Sequence, residues 1–487
     1  MRETSSHGST RDVATVDAVA IVPGIMGSTL DVVEPRGNSP VWGVASAVKN
    51  ATRWRDDARI DALRVREDEI DGHGGRVVPT GLLTLPEWMR GFGGIEPYKR
   101  LIKTVSETVL DPAAVLLFAY DWRLDVEHNA RILARESCAH LERWRRHEAL
   151  RAALARRNDD REPRIVFVAH SMGGLLVKAM STLPVEQPET RAVVTLGTPF
   201  AGSVKTMSML AEGEGAPLGM SRAATRRACL SMPGVYDLLP WYRCRLKDDD
   251  VVVLEPRDVT GIGAPDHLVQ AAFARRRRAA GSELSQHHAV VGVGQDTAQT
   301  LELDGTHLVT HDWGFRRNRR GELVRESGRL VTHNHDGDGT VFRYSARTRT
   351  VEGVAVAQHH QSLAVAGPSL RIVWKVITEA DDLDAVLGQN IEEAPLGLEV
   401  PDEAAIDQPV EIRIRSVHTP ADITCAMEDT ARRDLLVRHP TVRGPAEDGA
   451  FVVRTEVDSP GLYRVRVAAG SSEVTKLVMI SAPPGNP

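Results

Sequence analysis

The sequence predicts an α/β protein: a doubly wound, mostly parallel sheet followed by a smaller all-β unit. Two observations predict it. Short apolar runs bounded by Gly, Pro or Asp alternate with helix-like stretches over the first four-fifths of the chain, and beyond Leu398 apolar and polar residues alternate one by one. The length, 487 residues, exceeds what one ordinary domain needs and agrees with two.

The apolar runs are Asp17–Val22, Ala113–Phe118, Ile165–Ala169, Ala192–Leu196 and Ala289–Val293. Unbroken apolarity over so short a run reads as a strand buried on both faces, the state of a strand in a parallel sheet covered by helices. Between two of them, Asn129–Arg157 is rich in Ala, Leu, Arg and Glu and reads as helix. In the second part Val410, Ile412 and Ile414 are apolar with Glu411, Arg413 and Arg415 between them, and Tyr463, Val465 and Val467 repeat the pattern after a Pro460-Gly461 turn. That is the period of an antiparallel sandwich, similar in pattern to bacterial immunoglobulin-like modules. The expected division is a disordered N-terminus over 1–16, the α/β domain over 17–394 and the β-sandwich over 395–487.

Hydrophobic residues make up 42% and charged residues 26%, so a packed globular core is expected. A net charge of −6 argues against nucleic-acid binding by bulk attraction. No apolar run is long enough to cross a bilayer, and the polar stretch Met1–Asp17 has no apolar core ahead of a cleavage site. Cys138, Cys229, Cys244 and Cys425 lie too far apart to suggest a metal knuckle or a disulfide framework. The expected compartment is the cytoplasm, and no cofactor or metal is expected.

Chemistry enters at Arg164–Ala169, which runs straight into His170-Ser171-Met172-Gly173-Gly174. A strand turning at once into a helix puts the residue at the turn in strained geometry, and small residues on either side, here Ala169 and Gly173, let strand and helix approach. The Ser171 hydroxyl then stands above the sheet, with the Met172 N–H aimed at a developing oxyanion. A capping serine at a helix start would be the plain alternative. Strand before, helix after and Gly-Gly within favour a nucleophile, and with it the α/β-hydrolase fold.

A serine hydroxyl needs a histidine to take its proton and a carboxylate to orient that histidine. In this fold the order along the chain is Ser, acid, His. After Ser171, His335-Asp336-Gly337-Asp338-Gly339-Thr340-Val341 offers two carboxylates, and Val354–Val356 leads to Gln358-His359-His360-Gln361-Ser362-Leu363. The acidic loop also matches the opening of an EF-hand, but the bidentate Glu at position twelve would fall on Ser345, so calcium is the weaker reading. The second oxyanion donor is expected in Val22-Pro23-Gly24-Ile25-Met26-Gly27-Ser28, at the Ile25 N–H.

These pieces resemble the lecithin:cholesterol acyltransferase family, with lysosomal phospholipase A2 and the phospholipid:diacylglycerol acyltransferases, from about Val19 to Leu363. The likeness is carried by the Ile25 loop, by Tyr120-Asp121-Trp122-Arg123-Leu124, by the Ser171 motif and by Leu196-Gly197-Thr198-Pro199-Phe200-Ala201-Gly202-Ser203. Tyr236-Asp237-Leu238-Leu239-Pro240, Val291-Gly292-Val293-Gly294 and Gly337-Asp338-Gly339-Thr340-Val341 add to it. The resemblance implies Ser171 as nucleophile, Asp338 as acid with Asp336 as the alternative, and one of His359 and His360 as base. His360 is preferred because a small residue and Leu follow it shortly, as Ser362-Leu363. Ile25 and Met172 are the implied oxyanion donors. The chain departs from the animal enzymes, which bear lid disulfides, in having no cysteine pair at comparable places and in carrying the β unit.

Residues 204–288 are expected to form a lid inserted over the site, with Trp241 and Tyr242 touching substrate. The loop Met207–Met220 opens this region and the run Arg275–Arg278 ends it; those arginines read first as a solvated face and second as a contact for anionic headgroups. Trp122 and Arg123 read as a buried indole beside an ion-paired guanidinium. The expected function is a serine-dependent lipid acyl hydrolase or O-acyltransferase working through an acyl-enzyme. Alternatives are an esterase or thioesterase on a soluble acyl substrate, or a catalytically silent binding protein of the same fold. A lipid ester is the expected partner, with transient contact at a membrane surface and a protein partner for the β unit left open.

Overall fold

A computed structural model describes residues 14–481 apart from 36, 44–56, 71–74, 85–97, 158–160, 215–220, 317, 319–321, 381–395, 407, 418, 431–441, 447–448 and 471. The expected disordered segment 1–16 lies almost wholly outside the described residues, as does the expected boundary at 395.

Six strands form the central sheet: β1 (Ala18–Val22), β2 (Val115–Leu117), β3 (Ile165–His170), β4 (Thr190–Leu196), β5 (His287–Val293) and β6 (Val354–Ala357). They lie in the order β6-β5-β4-β3-β1-β2, and every neighbouring pair is parallel. Each apolar run of the sequence supplies one strand. All residues of β1 and β3 are buried, as an unbroken apolar run requires. Burying one such Val, Leu or Ile side chain is worth about 1.5–3 kcal/mol, so the sheet centre anchors the domain.

Helices α1 (Val126–Arg145), α2 (Met172–Met180) and α3 (Gly367–Thr378) belong to the layers around this sheet. Asp125 caps α1 by accepting the His128 N–H at 2.8 Å. The single helix expected over 129–157 is two, because the chain tightens after Arg145 and restarts at Glu148. The His147 ring stacks on Trp144 at this break, with centroids 5.4 Å apart.

About half of the described residues within 204–288 are helical, with the short strands Arg245–Lys247 and Asp250–Val252 among them. Met207–Glu212, expected as loop, belongs to the helix Lys205–Glu212, and Arg275–Arg278 are the last turn of the helix Asp266–Arg278. Three of these four arginines are engaged within the fold. Arg275 pairs with Asp237 at 2.9 Å, Arg276 donates to the Phe200 carbonyl and lies over the Trp241 ring, and Arg278 pairs with Glu127.

The C-terminal region holds two four-stranded sheets. Their strands are β7 (Gly397–Glu399), β8 (Glu403–Ala405), β9 (Val410–Arg415), β10 (Ile423–Asp429), β11 (Val442–Arg443), β12 (Phe451–Thr455), β13 (Gly461–Ala469) and β14 (Ser472–Ser481). One sheet runs β7-β9-β12-β11 and the other β8-β14-β13-β10, mostly antiparallel. Val410, Ile412 and Ile414 face a separate core with Val453, Val465, Val467 and Val478, as the alternation predicts. Among the described residues no helix is long and apolar enough to cross a membrane.

Candidate active site

The C-terminal ends of β1, β3, β5 and β6 lead into the loops that carry every candidate group, the position where open parallel sheets bind ligands. At the end of β3, Ser171 has φ 51° and ψ −126°, a left-handed backbone that a serine adopts only where its surroundings impose it. The imposition is visible at Gly173: a Cβ there would lie 2.5 Å from the carbonyl oxygens of both Val22 and Pro23. Only glycine lets α2 start this close to the loop after β1, and that closeness brings the Ile25 loop beside the serine. Gly24 is equally tight, since its Cβ would meet the Ser171 Cβ at 2.8 Å.

Ser171 is 5% exposed, and its hydroxyl lies 2.8 Å from His360 Nε2. His360 Nδ1 lies 2.7 Å from Asp338 Oδ2. The network assigns the tautomer: Nδ1–H donates to the carboxylate, leaving Nε2 to accept the serine proton. Asp338, 1% exposed, is held on its other oxygen by the N–H groups of Thr340 at 3.0 Å and Val341 at 2.7 Å. Its backbone carbonyl accepts the His360 N–H at 2.8 Å, so acid and histidine are tied twice.

The neighbours face elsewhere. His359 Nε2 lies 3.0 Å from the Leu398 carbonyl, and burial pushes this imidazole down to about 3, so it is a neutral donor. The Asp336 carboxyl lies beside Arg343 and the Gly294 amide, pushed up to about 6 by burial. Of the two acids and two histidines the sequence leaves open, Asp338 and His360 are the pair that meets Ser171.

Met172 follows the serine as the first residue of α2, and Ile25 follows Gly24 beside it. Among the described residues the Ile25 N–H has no acceptor, which leaves it available to a ligand. The loop around it is braced by the Tyr-Asp-Trp-Arg block. The Tyr120 hydroxyl donates to the Pro23 carbonyl at 2.9 Å, and the Trp122 indole N–H donates to the Ser28 carbonyl at 3.2 Å. Arg123, 1% exposed, donates to both oxygens of Asp121 at 2.9 and 2.7 Å and lies 3.4 Å from Glu69. The block therefore serves the site through the loop it holds.

Trp241 and Tyr242 lie in the irregular stretch between the helix Pro233–Tyr236 and the strand Arg245–Lys247. Trp241 packs on Phe273, and Tyr242 packs on Phe342 at the edge of a cleft of about 770 Å³ that also includes Phe315 and Tyr344.

Two groups that sequence reasoning left without a role belong to the site. The Gly24 N–H donates to the Tyr98 oxygen at 2.8 Å, so the Tyr98 hydroxyl donates to His170 Nδ1, also at 2.8 Å. His170 Nε2–H then donates to the His360 carbonyl at 3.1 Å. Burial holds His170 down at about 3, which keeps it neutral and this chain one-directional. His170 was visible inside the Ser171 motif; Tyr98 carried no signal. Among the described residues, no three His, Cys, Asp or Glu side chains are grouped as metal ligands.

Solved structures with some likeness to this chain share little of its sequence. One solved structure, a chain of the crystal structure of the Tle4-Tli4 complex, is 15% identical, with a TM-score of 0.43, and the match covers 76% of this chain and 98% of that one. A second, the Bacillus licheniformis lipase BlEst2 in its propeptide form, is 10% identical, with a TM-score of 0.26, covering 95% of this chain and 93% of that one. No curated protein matches the chain. The six parallel strands and the turn at Ser171 are an α/β-hydrolase fold. Residues 87–263, which contain Ser171 and the Tyr-Asp-Trp-Arg block, match the model of the lecithin:cholesterol acyltransferase family, which supports an acyl-hydrolysing or acyl-transferring kind of enzyme. The family this chain resembles is that of lecithin:cholesterol acyltransferase.

Proposed function

We propose that the chain is a serine-dependent lipid acyl hydrolase or O-acyltransferase that acts on glycerophospholipid or related lipid esters through an acyl-enzyme at Ser171. The observation that carries the reading is the unbroken line from the Ser171 hydroxyl through His360 to Asp338, with contacts of 2.8 and 2.7 Å. His360 Nε2 takes the hydroxyl proton as Ser171 Oγ attacks the ester carbonyl. The Ile25 and Met172 N–H groups hold the oxyanion, and the loss of one such donor typically costs about 2.7–4 kcal/mol in the transition state. The imidazolium, steadied by Asp338, returns its proton to the leaving alcohol. Water then attacks the acyl-serine in hydrolysis; a lipid alcohol does so in acyl transfer. The region 204–288 is the proposed lid, with Trp241 and Tyr242 as substrate contacts.

The test is labelling by a fluorophosphonate probe, which reacts with activated serines. Wild-type chain is expected to label and Ser171→Ala to lose labelling with its thermal midpoint little changed. Labelling that persists in Ser171→Ala ends the reading. Turnover of phospholipid emulsions against short soluble esters then tests the lipid class. Activity confined to the short esters overturns that part in favour of a soluble substrate.

A further inference from the structure

The C-terminal module touches the hydrolase domain at the two loops that carry Asp338 and His360. Strand β7 is the edge of its sheet, an exposed row of backbone donors and acceptors unless something pairs with it. Leu398, in the middle of β7, gives both of its backbone groups to the hydrolase domain. Its N–H donates to Gln295 Oε1 at 3.1 Å, and its carbonyl accepts from His359 Nε2 at 3.0 Å. Gln295 also donates to the Leu396 carbonyl at 3.2 Å, so its amide behaves like a short strand laid along β7. The backbones come close here: a Cβ on Gly397 would lie 2.9 Å from the Gly294 carbonyl oxygen.

Both partners of Leu398 adjoin the catalytic pair. Gln295, 2% exposed, exchanges backbone hydrogen bonds with Gly337 at 2.9 and 3.1 Å, one residue before Asp338. His359 is one residue before His360, and its ring lies against Gly339, one residue after Asp338. A second strand of the module adds a third tie. Gln358 Oε1, on a side chain 4% exposed, accepts the His359 N–H at 2.9 Å and the Thr475 N–H of β14 at 3.0 Å. The residues flanking acid and base are thus tied to two module strands through buried polar side chains.

We propose that Gln295, Gln358 and His359 are positioning residues through which the C-terminal module sets the geometry of the Asp338–His360 pair. The module is then a working part of the active site rather than an appended binding unit. This rests on Ser171 being the nucleophile that His360 activates. A misplacement of about 1 Å in such a pair costs up to about a hundredfold in rate.

The test uses the full chain and compares Gln358→Met, of similar shape but without the acceptor, with Gln358→Glu, which keeps it. Gln358→Met is expected to lower kcat on a short ester, and the rate of fluorophosphonate labelling, by roughly ten- to a hundredfold with KM unchanged. Gln358→Glu should restore most of the rate. A Gln358→Met protein that reacts at the wild-type rate overturns the proposal. So does a loss of rate that Gln358→Glu leaves uncorrected and that follows the thermal midpoint, because that describes support of the fold alone. Should Gln358→Met fail to fold, His359→Phe against His359→Gln repeats the comparison at the Leu398 carbonyl, Gln keeping a donor that Phe lacks. A wild-type chain that does not label at all is a different failure, which removes the nucleophile reading and this proposal with it.

Discussion

In the central sheet all six residues of Ile165–His170 are buried, whereas Val410–Arg415 in the module alternates buried and half-buried positions. The difference follows from what covers each sheet. Helices or loops lie on both faces of the parallel sheet, so its strands are apolar throughout and its polar work is confined to the strand ends. Each module sheet is covered on one face only, so in Val410–Arg415 every second side chain is half-buried and carries charge. Ion pairs follow the same division. Arg123 with Asp121 lies inside the hydrolase domain, its side chain 1% exposed, while Arg454 with Glu411 lies on the module, its side chain 64% exposed. The comparison teaches that chemistry needs a buried, over-determined environment, which only the parallel sheet builds, and that the module contributes through edges rather than faces.

Four measurements bear on that contrast. The largest effect is expected at the strand ends. Asp338→Asn should lower kcat by about 10⁴ through the wrong imidazole tautomer, with secondary structure by circular dichroism retained. A near-normal kcat would return the acid to Asp336 and dissolve the special standing of the Asp338 loop.

Arg123→Ala comes next. It strands the Asp121 carboxylate in the interior, while Glu69 keeps its pair with Arg76 at 2.9 Å, and should cost about 3–5 kcal/mol in denaturant unfolding. A cost below about 1 kcal/mol would mean that water reaches this cluster.

Acid titration gives the third. Burial holds His140, His170, His287, His288 and His359 below the usual 6.5. Below pH 6.5 the unfolded chain binds protons that these folded imidazoles refuse, so stability falls as pH drops, by up to about 1.4 kcal/mol per pH unit for each group. Asp237 and Asp336, raised from 3.8 to about 6, act with the opposite sign between those values, because the folded carboxyl is the one that holds a proton. The histidines outnumber them, so the thermal midpoint should decline from pH 6.5 to 4, and Asp336→Asn should steepen the decline. A midpoint that rises on acidification would show the carboxyls in control.

The smallest effect belongs to the module surface. Arg454→Ala removes an exposed pair and should change stability by less than about 1 kcal/mol, read from the same unfolding curves. A loss as large as that of Arg123→Ala would erase the distinction between the two regions.

Much of this architecture was legible in the residues. Period and composition marked each central strand and the alternating strands of the module, because burial on two faces or one writes itself directly into a sequence. Ser171 was legible for a local reason: a strand, a serine and two glycines within a few positions leave one tight geometry. The helix Lys205–Glu212 was missed, since Met207–Met220 mixes Gly and Pro with helix formers. Gln295 and Gln358 gave no signal, because a glutamine that ties two domains looks like any other glutamine until its partner strand is in place.

The sequence alone determined the two kinds of sheet, the elbow at Ser171 and the short stretches that hold its partners, all of them set by neighbours in the chain. The tertiary structure alone decided that His360 rather than His359 meets the serine, and Asp338 rather than Asp336 meets His360. Adjacent residues on one loop share composition and spacing but point in different directions. Which direction faces Ser171, 189 positions away, is fixed by packing that includes the C-terminal module.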